Sequence, residues 1–269
     1  MEVRIISTSV LDDHPVKKVF KDAKVFHAVD FRSKKPQQLL DENLITLNGF
    51  ESMKNGRKHH HELSTPSQIG LILSFLKILK SNHGPLLICE EDCVPSPDLP
   101  EIIDEMLLNS SDFDMVVFGP LMYQENIHTP SVFKNFNFLT NYYWGNHAVL
   151  FTPQGREKII KHLNGPYDVQ LDALFSRLAM YTSEVKILIQ VRGEPLAIQS
   201  DKPTQLQKQE GVHQLLGDDC FPLCHLNHSS VWFLIILILF LVTAISNSIN
   251  KSGDRFYCPK LKKMINKRK

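Results

Sequence analysis

The sequence predicts an α/β fold, a mixed sheet with helices covering its faces, followed by one membrane-spanning helix near the C-terminus. Three observations carry this reading. Strand-like and helix-like segments alternate through the first two hundred residues. The segment Pro85-Leu86-Leu87-Ile88-Cys89 is an apolar run that breaks into three consecutive carboxylates, Glu90-Glu91-Asp92. No charged residue occurs between Ser229 and Asn250.

Taken in order, residues 3–8 and 24–30 read as the first two strands. Residues 32–62 are polar and poorly periodic, which predicts a long loop, with His59-His60-His61 as solvated side chains. A helix is expected from the cap at Ser64 or Thr65, with Pro66 in its first turn, through Lys80. Ile69, Ile72, Leu73, Leu76 and Leu79 recur along it at helical spacing. The acidic strand follows. Residues 97–108 give a helix with Ile102, Ile103, Met106 and Leu107 on one side, and residues 113–119 a strand. Residues 148–151 form a short strand, and Thr152-Pro153 opens a helix closed by Asn164-Gly165-Pro166. A helix over 168–180 and a strand over 185–191 complete the body.

The chain carries 30 Lys or Arg against 29 Asp or Glu. Residues 250–269 hold eight of the basic residues against one acid, Asp254, so residues 1–249 carry a net charge of −6. A mildly acidic body with a basic tail argues against nucleic acid as a partner and suits anionic lipid head groups. The expected organisation is a body over residues 1–213, a linker over 214–229, a transmembrane helix over 230–250 and a basic tail over 251–269. Trp232 sits at one edge of the span, where aromatic belts lie. The basic tail favours the cytosol, which would put the body in a lumen. The N-terminus lacks a signal-peptide run, and the simpler biogenesis is a C-terminal single-pass anchor with a cytosol-facing body. The sequons at Asn109, Asn227 and Asn250 matter only on a luminal side. Five cysteines are an odd number for a fully paired framework, and Cys220 and Cys224 lack a second pair at zinc spacing.

Three adjacent carboxylates repel one another and have no use in a core strand. Either they form a solvated turn, or a hard divalent cation relieves the repulsion, since such ions take oxygen ligands from carboxylates and phosphates. Their place at a strand's carboxyl end is where open α/β sheets bind ligands. Residues alternate faces along a strand, so Glu90 and Asp92 are expected on one side. Neither GxGxxG nor GxxxxGK[ST] occurs. A nucleotide would therefore be held by metal and side chains.

Four segments, in order, resemble glycosyltransferase family 25, the lipopolysaccharide-type and collagen-type galactosyltransferases with a GT-A fold. They are residues 63–78 with Gly70 and Ser74-Phe75, residues 87–94 with Glu90-Glu91-Asp92, residues 113–119 with Asp114, and residues 145–155 followed by Pro166-Tyr167-Asp168. The resemblance covers about residues 1 to 205. It implies a GT-A-like nucleotide-sugar-binding domain. The implied reaction is inverting transfer of a hexose such as galactose from a nucleoside diphosphate sugar, UDP-linked, to a hydroxyl on a glycan, lipid or protein.

The resemblance further implies Mn2+ or Mg2+ held by Asp92 with Glu90 or Glu91 from the same triplet, Glu90 being a ligand or a ribose contact. An inverting transfer needs a general base, usually a carboxylate. Asp168 is the candidate by its match to the family motif, with Asp172 one helical turn on; Asp168 otherwise reads as a helix N-cap. His147 reads as a diphosphate contact or a core histidine. Trp144, with Tyr142 and Tyr143, reads as a stacking surface for sugar or base, or as core packing. Asp114 reads as structural. The chain departs from the family at Phe75, where a histidine is usual, and at Glu91, where an aspartate is usual. Those departures leave a second reading: a catalytically inactive member acting as a membrane-tethered binding or adhesion module.

Overall fold

The protein is described by a computed structural model over residues 1–81, 83–123 and 129–200. In chain order the elements are β1 (Glu2–Ser7), α1 (Pro15–Val19), β2 (Lys24–His27), α2 (Pro36–Asp41), α3 (Leu47–Asn55), α4 (Pro66–Lys80), β3 (Leu86–Glu90), β4 (Cys93–Pro95) and α5 (Leu99–Leu107). They continue as β5 (Met115–Phe118), β6 (Met122–Tyr123), β7 (Thr129–Pro130), β8 (Phe136–Phe138), β9 (Tyr143–Trp144), β10 (Ala148–Phe151), α6 (Pro153–His162), α7 (Leu171–Tyr181), β11 (Ile187–Gln190) and β12 (Ala197–Gln199). The chain divides into Met1–Phe221 and Pro222–Lys269, and every described residue belongs to the first unit. The expected linker, membrane span and basic tail lie outside the described residues. Among the described residues no helix is long and apolar enough to cross a membrane.

Eight strands form one mixed sheet in the order β2-β1-β3-β10-β5-β11-β8-β7. β1 pairs in parallel with both β2 and β3, and β5 in parallel with β11. Between these two parallel groups runs β10, antiparallel to β3 and to β5. Its reversal has a direct consequence for the site: the start of β10 lies at the same sheet edge as the carboxyl ends of β1, β3 and β5.

The central strands are apolar on both faces because both are covered. Leu86 and Ile88 of β3 join the core packed by α4, α6 and α7, while Leu87 and Cys89 join the core packed by α1 and α5. This is the period-two alternation of a strand, with each face supplying a separate core. On one side, Ile69, Ile72, Phe75 and Leu79 of α4 are fully buried. Phe75, Phe151 and Phe175 meet edge to face at centroid distances of 6.0–6.4 Å. The start of α4 is held by Gln68, whose Oε1 accepts from the Ser64 N–H at 2.7 Å. Ser74 ties the same helix to the end of β2: its Oγ accepts from the Val29 N–H at 2.8 Å and donates to the Gly70 carbonyl at 2.7 Å.

The segment 32–62 differs from expectation. It contains α2 and α3. Both are short, and helices of this length are held by packing and caps more than by periodicity. Pro36 occupies the first turn of α2, and Thr46 caps α3 by accepting from the Gly49 N–H at 3.1 Å. The acidic strand also ends sooner than its residue types suggested. β3 stops at Glu90, and Glu91-Asp92 form a turn into β4. β4 pairs with β12, and at Gly119 (φ +58°) an added Cβ would lie 1.7 Å from the Ala197 carbonyl oxygen. Only glycine lets the chain leaving β5 pass this close to β12.

Candidate metal centre

Glu90 closes β3, Asp92 lies in the turn that follows, and His147 immediately precedes β10. The β3–β10 ladder brings them together: Cys89 pairs with Ala148, and the Glu90 N–H donates to the His147 carbonyl at 3.0 Å. His147 Nδ1 stands 3.6 Å from Asp92 Oδ1 and 3.9 Å from Glu90 Oε2. One donor atom from each of the three residues lies within 4.8 Å of the others. Ligands of one small divalent ion, with bonds of about 2.1 Å, stand roughly 3–4.2 Å apart, so modest side-chain movement closes the set on a cation.

Asp92 is 4% exposed and His147 2%. Asp92 Oδ1 and both ring nitrogens of His147 are buried without a hydrogen-bond partner. Buried polar atoms are rarely left so, because each forfeits its hydration with nothing in exchange. The other carboxylate oxygen, Oδ2, accepts from Gln199 Nε2 at 2.8 Å, and the Asp92 carbonyl accepts from the Ser200 N–H at 2.8 Å. β12 therefore fixes Asp92 from behind and leaves Oδ1 directed at His147. A mixed carboxylate and imidazole donor set fits a divalent cation.

Burial and like charge shift the titration of these groups. Burial pushes Glu90 up to about 8; the Asp92 charge adds to this and His147 opposes it. For His147, burial acts downward, but the nearby Asp92 and Glu90 carboxylates outweigh it and its pKa is raised. A divalent ion would oppose the upward shift of Glu90.

These groups form the floor of a cavity of about 240 Å3. Ser7, Asp30 and Arg32 line it at the ends of β1 and β2, and His60, Trp144 and Asp172 line it on the other side. Arg32 Nε donates to both Asp30 oxygens at 2.9 and 3.0 Å, and these bonds hold the Asp30 carboxyl down at about 2. Asp172, the second residue of α7, is 8% exposed. Its Oδ1 accepts from the Ala173 N–H at 2.8 Å and its Oδ2 from the Gly145 N–H at 3.4 Å. Burial nevertheless raises its pKa, against His60 and these backbone donors.

Of the residues singled out in the sequence, Glu90, Asp92, His147, Trp144 and Asp172 converge on this cavity. Glu91 lines it too but stands apart from the donor cluster: its Oε2 accepts from Ser7 Oγ at 2.8 Å. His147, read as a phosphate contact or core residue, stands with Glu90 and Asp92 in the donor cluster, where Glu91 was expected. Asp168 is not among the cavity-lining residues; Arg177 NH1 donates to its carboxylate at 2.9 Å. Nor is it a helix cap, a position that Gln170 occupies in α7. Asp114 is structural as expected, accepting from Lys158 Nζ at 2.9 Å and from the Lys186 N–H at 2.8 Å. The histidine triplet differs from its reading as a solvated loop. His60 lines the cavity and meets Trp144 edge on, while His61 stacks on Tyr142. Arg32, Arg57 and Gln199 were not singled out, because only the fold carries them to the cavity.

No family model and no curated protein matches the sequence. Among solved structures, a UDP-glucose pyrophosphorylase complexed with UDP-glucose aligns with a TM-score of 0.39 at 10% identity, over 72% of this chain and 92% of that one. A mannose-1-phosphate geranyltransferase from Thermus thermophilus aligns with a TM-score of 0.30 at 9% identity, over 73% of this chain and 75% of its own. The inositol-1-phosphate CTP transferase from T. maritima gives a TM-score of 0.30 at 13% identity, over 81% of this chain and 98% of its own. Likenesses this loose define no family. What the chain itself defines is an α/β protein with a candidate metal centre at the carboxyl edge of a mixed sheet.

Proposed function

We propose that this protein is a metal-dependent glycosyltransferase of the family 25 kind, moving a hexose from a nucleoside diphosphate sugar to an acceptor hydroxyl with inversion. One observation carries the reading: the unpartnered Asp92 Oδ1 and His147 nitrogens, buried beside Glu90 at the sheet edge. Glu90, Asp92 and His147 would hold the cation, which when bound neutralises charge developing on the diphosphate leaving group. Gln199 keeps Asp92 in its rotamer. Ser7, Asp30 and Arg32, at the ends of β1 and β2, offer hydroxyl, carboxylate and guanidinium groups to a nucleoside and its phosphates. Asp172 accepts the acceptor hydroxyl's proton as that oxygen bonds to the anomeric carbon and the bond to the diphosphate oxygen breaks. A carboxylate with a raised pKa is suited to this task near neutral pH. Asp168, paired to Arg177, supports the wall in this reading and does not take the proton. The apolar run at residues 230–250 tethers the body to a membrane, with the body facing the cytosol; glycosidase-sensitive glycans at Asn109 would overturn that orientation.

The test is calorimetry on the full-length protein in detergent, titrating UDP with and without Mn2+, repeated with Asp92→Ala. The expected result is UDP binding that requires Mn2+ and is lost in the variant. Equal binding by both proteins, or none by either, overturns the proposal.

A further inference from the structure

Beside the metal centre, two aromatic rings line the cavity, and a stack of three more belongs to the same two chain segments. Trp144 and His60 line the cavity, their ring centroids 5.7 Å apart and their planes at 74°. Tyr142, two residues before Trp144, stacks on His61 at 5.4 Å and 15°, and His61 stacks on His59 at 5.4 Å and 2°. Two chain segments, 57–62 and 142–146, thus present their rings together.

This group of rings is built to hold its shape. Glu62 Oε2 accepts from the N–H groups of Lys58 and His59, at 2.7 and 3.3 Å, which closes the histidine segment into a tight turn. Gln170 pins it from below: its Nε2 donates to the His60 carbonyl at 2.6 Å, and its N–H to the His61 carbonyl at 3.0 Å. Gln68 Nε2 in turn donates to Gln170 Oε1 at 3.0 Å. From the outer side, Arg177 bonds both Asp168 and Tyr142. His61 is half-buried, and its loss of solvent lowers its pKa.

Flat rings with a carboxylate beside them form a particular kind of surface. The C–H face of a pyranose is apolar and packs on a ring, while its hydroxyls donate to a nearby carboxylate. Asp172 supplies that carboxylate, bonded to the Gly145 N–H next to Trp144. The hydroxyl and guanidinium groups suited to a nucleoside lie at the other side of the cavity, at the ends of β1 and β2. A lipid would call for a continuous aliphatic trough, which this group of imidazole, phenol and indole rings does not offer.

Resting on the transferase reading above, we propose that His60 and Trp144, backed by the His61–Tyr142 stack, form the acceptor subsite, and that it takes a pyranose ring of a glycan. His60 and Trp144 supply stacking surface, His61 and Tyr142 fix their orientation, and Asp172 faces the hydroxyl to be glycosylated.

The test uses full-length protein in detergent against a surface carrying immobilised oligosaccharides, unglycosylated peptides and phospholipids, with Mn2+ titrated separately by calorimetry. The expected result is binding to an oligosaccharide class, weakened at least tenfold by Trp144→Ala and by His61→Ala and retained by His61→Phe, which keeps a flat ring. Near-ultraviolet circular dichroism identifies a variant that has failed to fold, and His61→Phe keeps the proposal falsifiable if an alanine variant does. Binding to no oligosaccharide, wild-type affinity in both alanine variants, or binding to peptide or phospholipid in place of saccharide overturns the subsite. Displacement of the saccharide by UDP alone also overturns it, because the rings would then hold the nucleobase. The Mn2+ titration separates the two readings. Mn2+ bound without any saccharide leaves the transferase reading standing and sinks the subsite. Saccharide bound through these rings without Mn2+ supports the subsite and sinks the metal-dependent transfer.

Discussion

Nδ1 of His147 lies 3.6 Å from Oδ1 of Asp92, and neither atom has a hydrogen-bond partner. The two residues are brought together by the pairing of β3 with β10, and the backbone bond from Glu90 to His147 locks the register. A metal ion is the simplest group to satisfy both atoms at once.

Metal binding and stability are expected to depend on pH in opposite ways. Glu90 is an acid whose folded value, about 8, lies above its ordinary value of 4.5. Between these values the unfolded chain has released a proton that the folded chain retains, so unfolding is favoured as pH rises. The metal-free protein should lose stability from about pH 4.5 to about pH 8 and level off above. Mn2+ needs the ionised carboxylate, and its affinity should rise across the same window. Thermal melts in chelator and in Mn2+, over a pH series, check both; Glu90→Gln should remove this component of the fall seen in chelator.

Gln199 is expected to act on the metal without touching it. It holds Asp92 Oδ2 at 2.8 Å and so sets the direction of Oδ1. Partners of metal ligands typically matter by about 10–100-fold in affinity. Gln199→Ala should weaken Mn2+ by that factor in calorimetry while circular dichroism stays unchanged. Wild-type Mn2+ affinity in this variant would mean that Asp92 is oriented by something else.

The two aspartates near the start of α7 are expected to separate in kinetics. Asp172 lines the cavity and Asp168 is paired with Arg177 outside it. Loss of a general base costs roughly 10²–10⁴ in rate. Asp172→Asn should lower kcat within that range, and Asp168→Asn should act mainly on acceptor KM. A larger kcat loss in Asp168→Asn than in Asp172→Asn would reverse the assignment.

Phe75 is expected to be structural. It is fully buried between Phe151 and Phe175, under the sheet. Phe75→Ala should cost about 3–5 kcal/mol in urea unfolding, as deletion of a buried aromatic does. A cost below about 1 kcal/mol would show that the surrounding core collapses to fill the space.

Much of the fold was legible wherever burial imposed a period. β3, β5, β10 and β11 are four- or five-residue strands that read as apolar runs, and α4 shows its buried face in the spacing of Ile69, Ile72 and Leu79. α2 and α3 were missed because their short lengths give little periodicity and their stability comes from caps and neighbours. Thr46 and Pro36 were the available signals. At the site, Glu90 and Asp92 were legible because adjacent carboxylates after an apolar strand conflict with core packing. The reason given for their shared side was not the operative one. Strand alternation ends at Glu90, and a turn held by Gln199 and Ser200 brings Asp92 round.

By itself, then, the sequence determined an α/β body, an acidic turn at the end of a buried strand and the residue types of a metal site, because local pattern and like-charge repulsion are written in neighbouring residues. Only the tertiary structure decided that His147 stands with Glu90 and Asp92 while Glu91 bonds Ser7, that Asp172 lines the cavity while Asp168 does not, and that the histidine segment meets Trp144 and Tyr142. Each of these depends on strand register or on loop contacts between residues far apart in the chain, and those are fixed by packing and hydrogen bonding across the molecule.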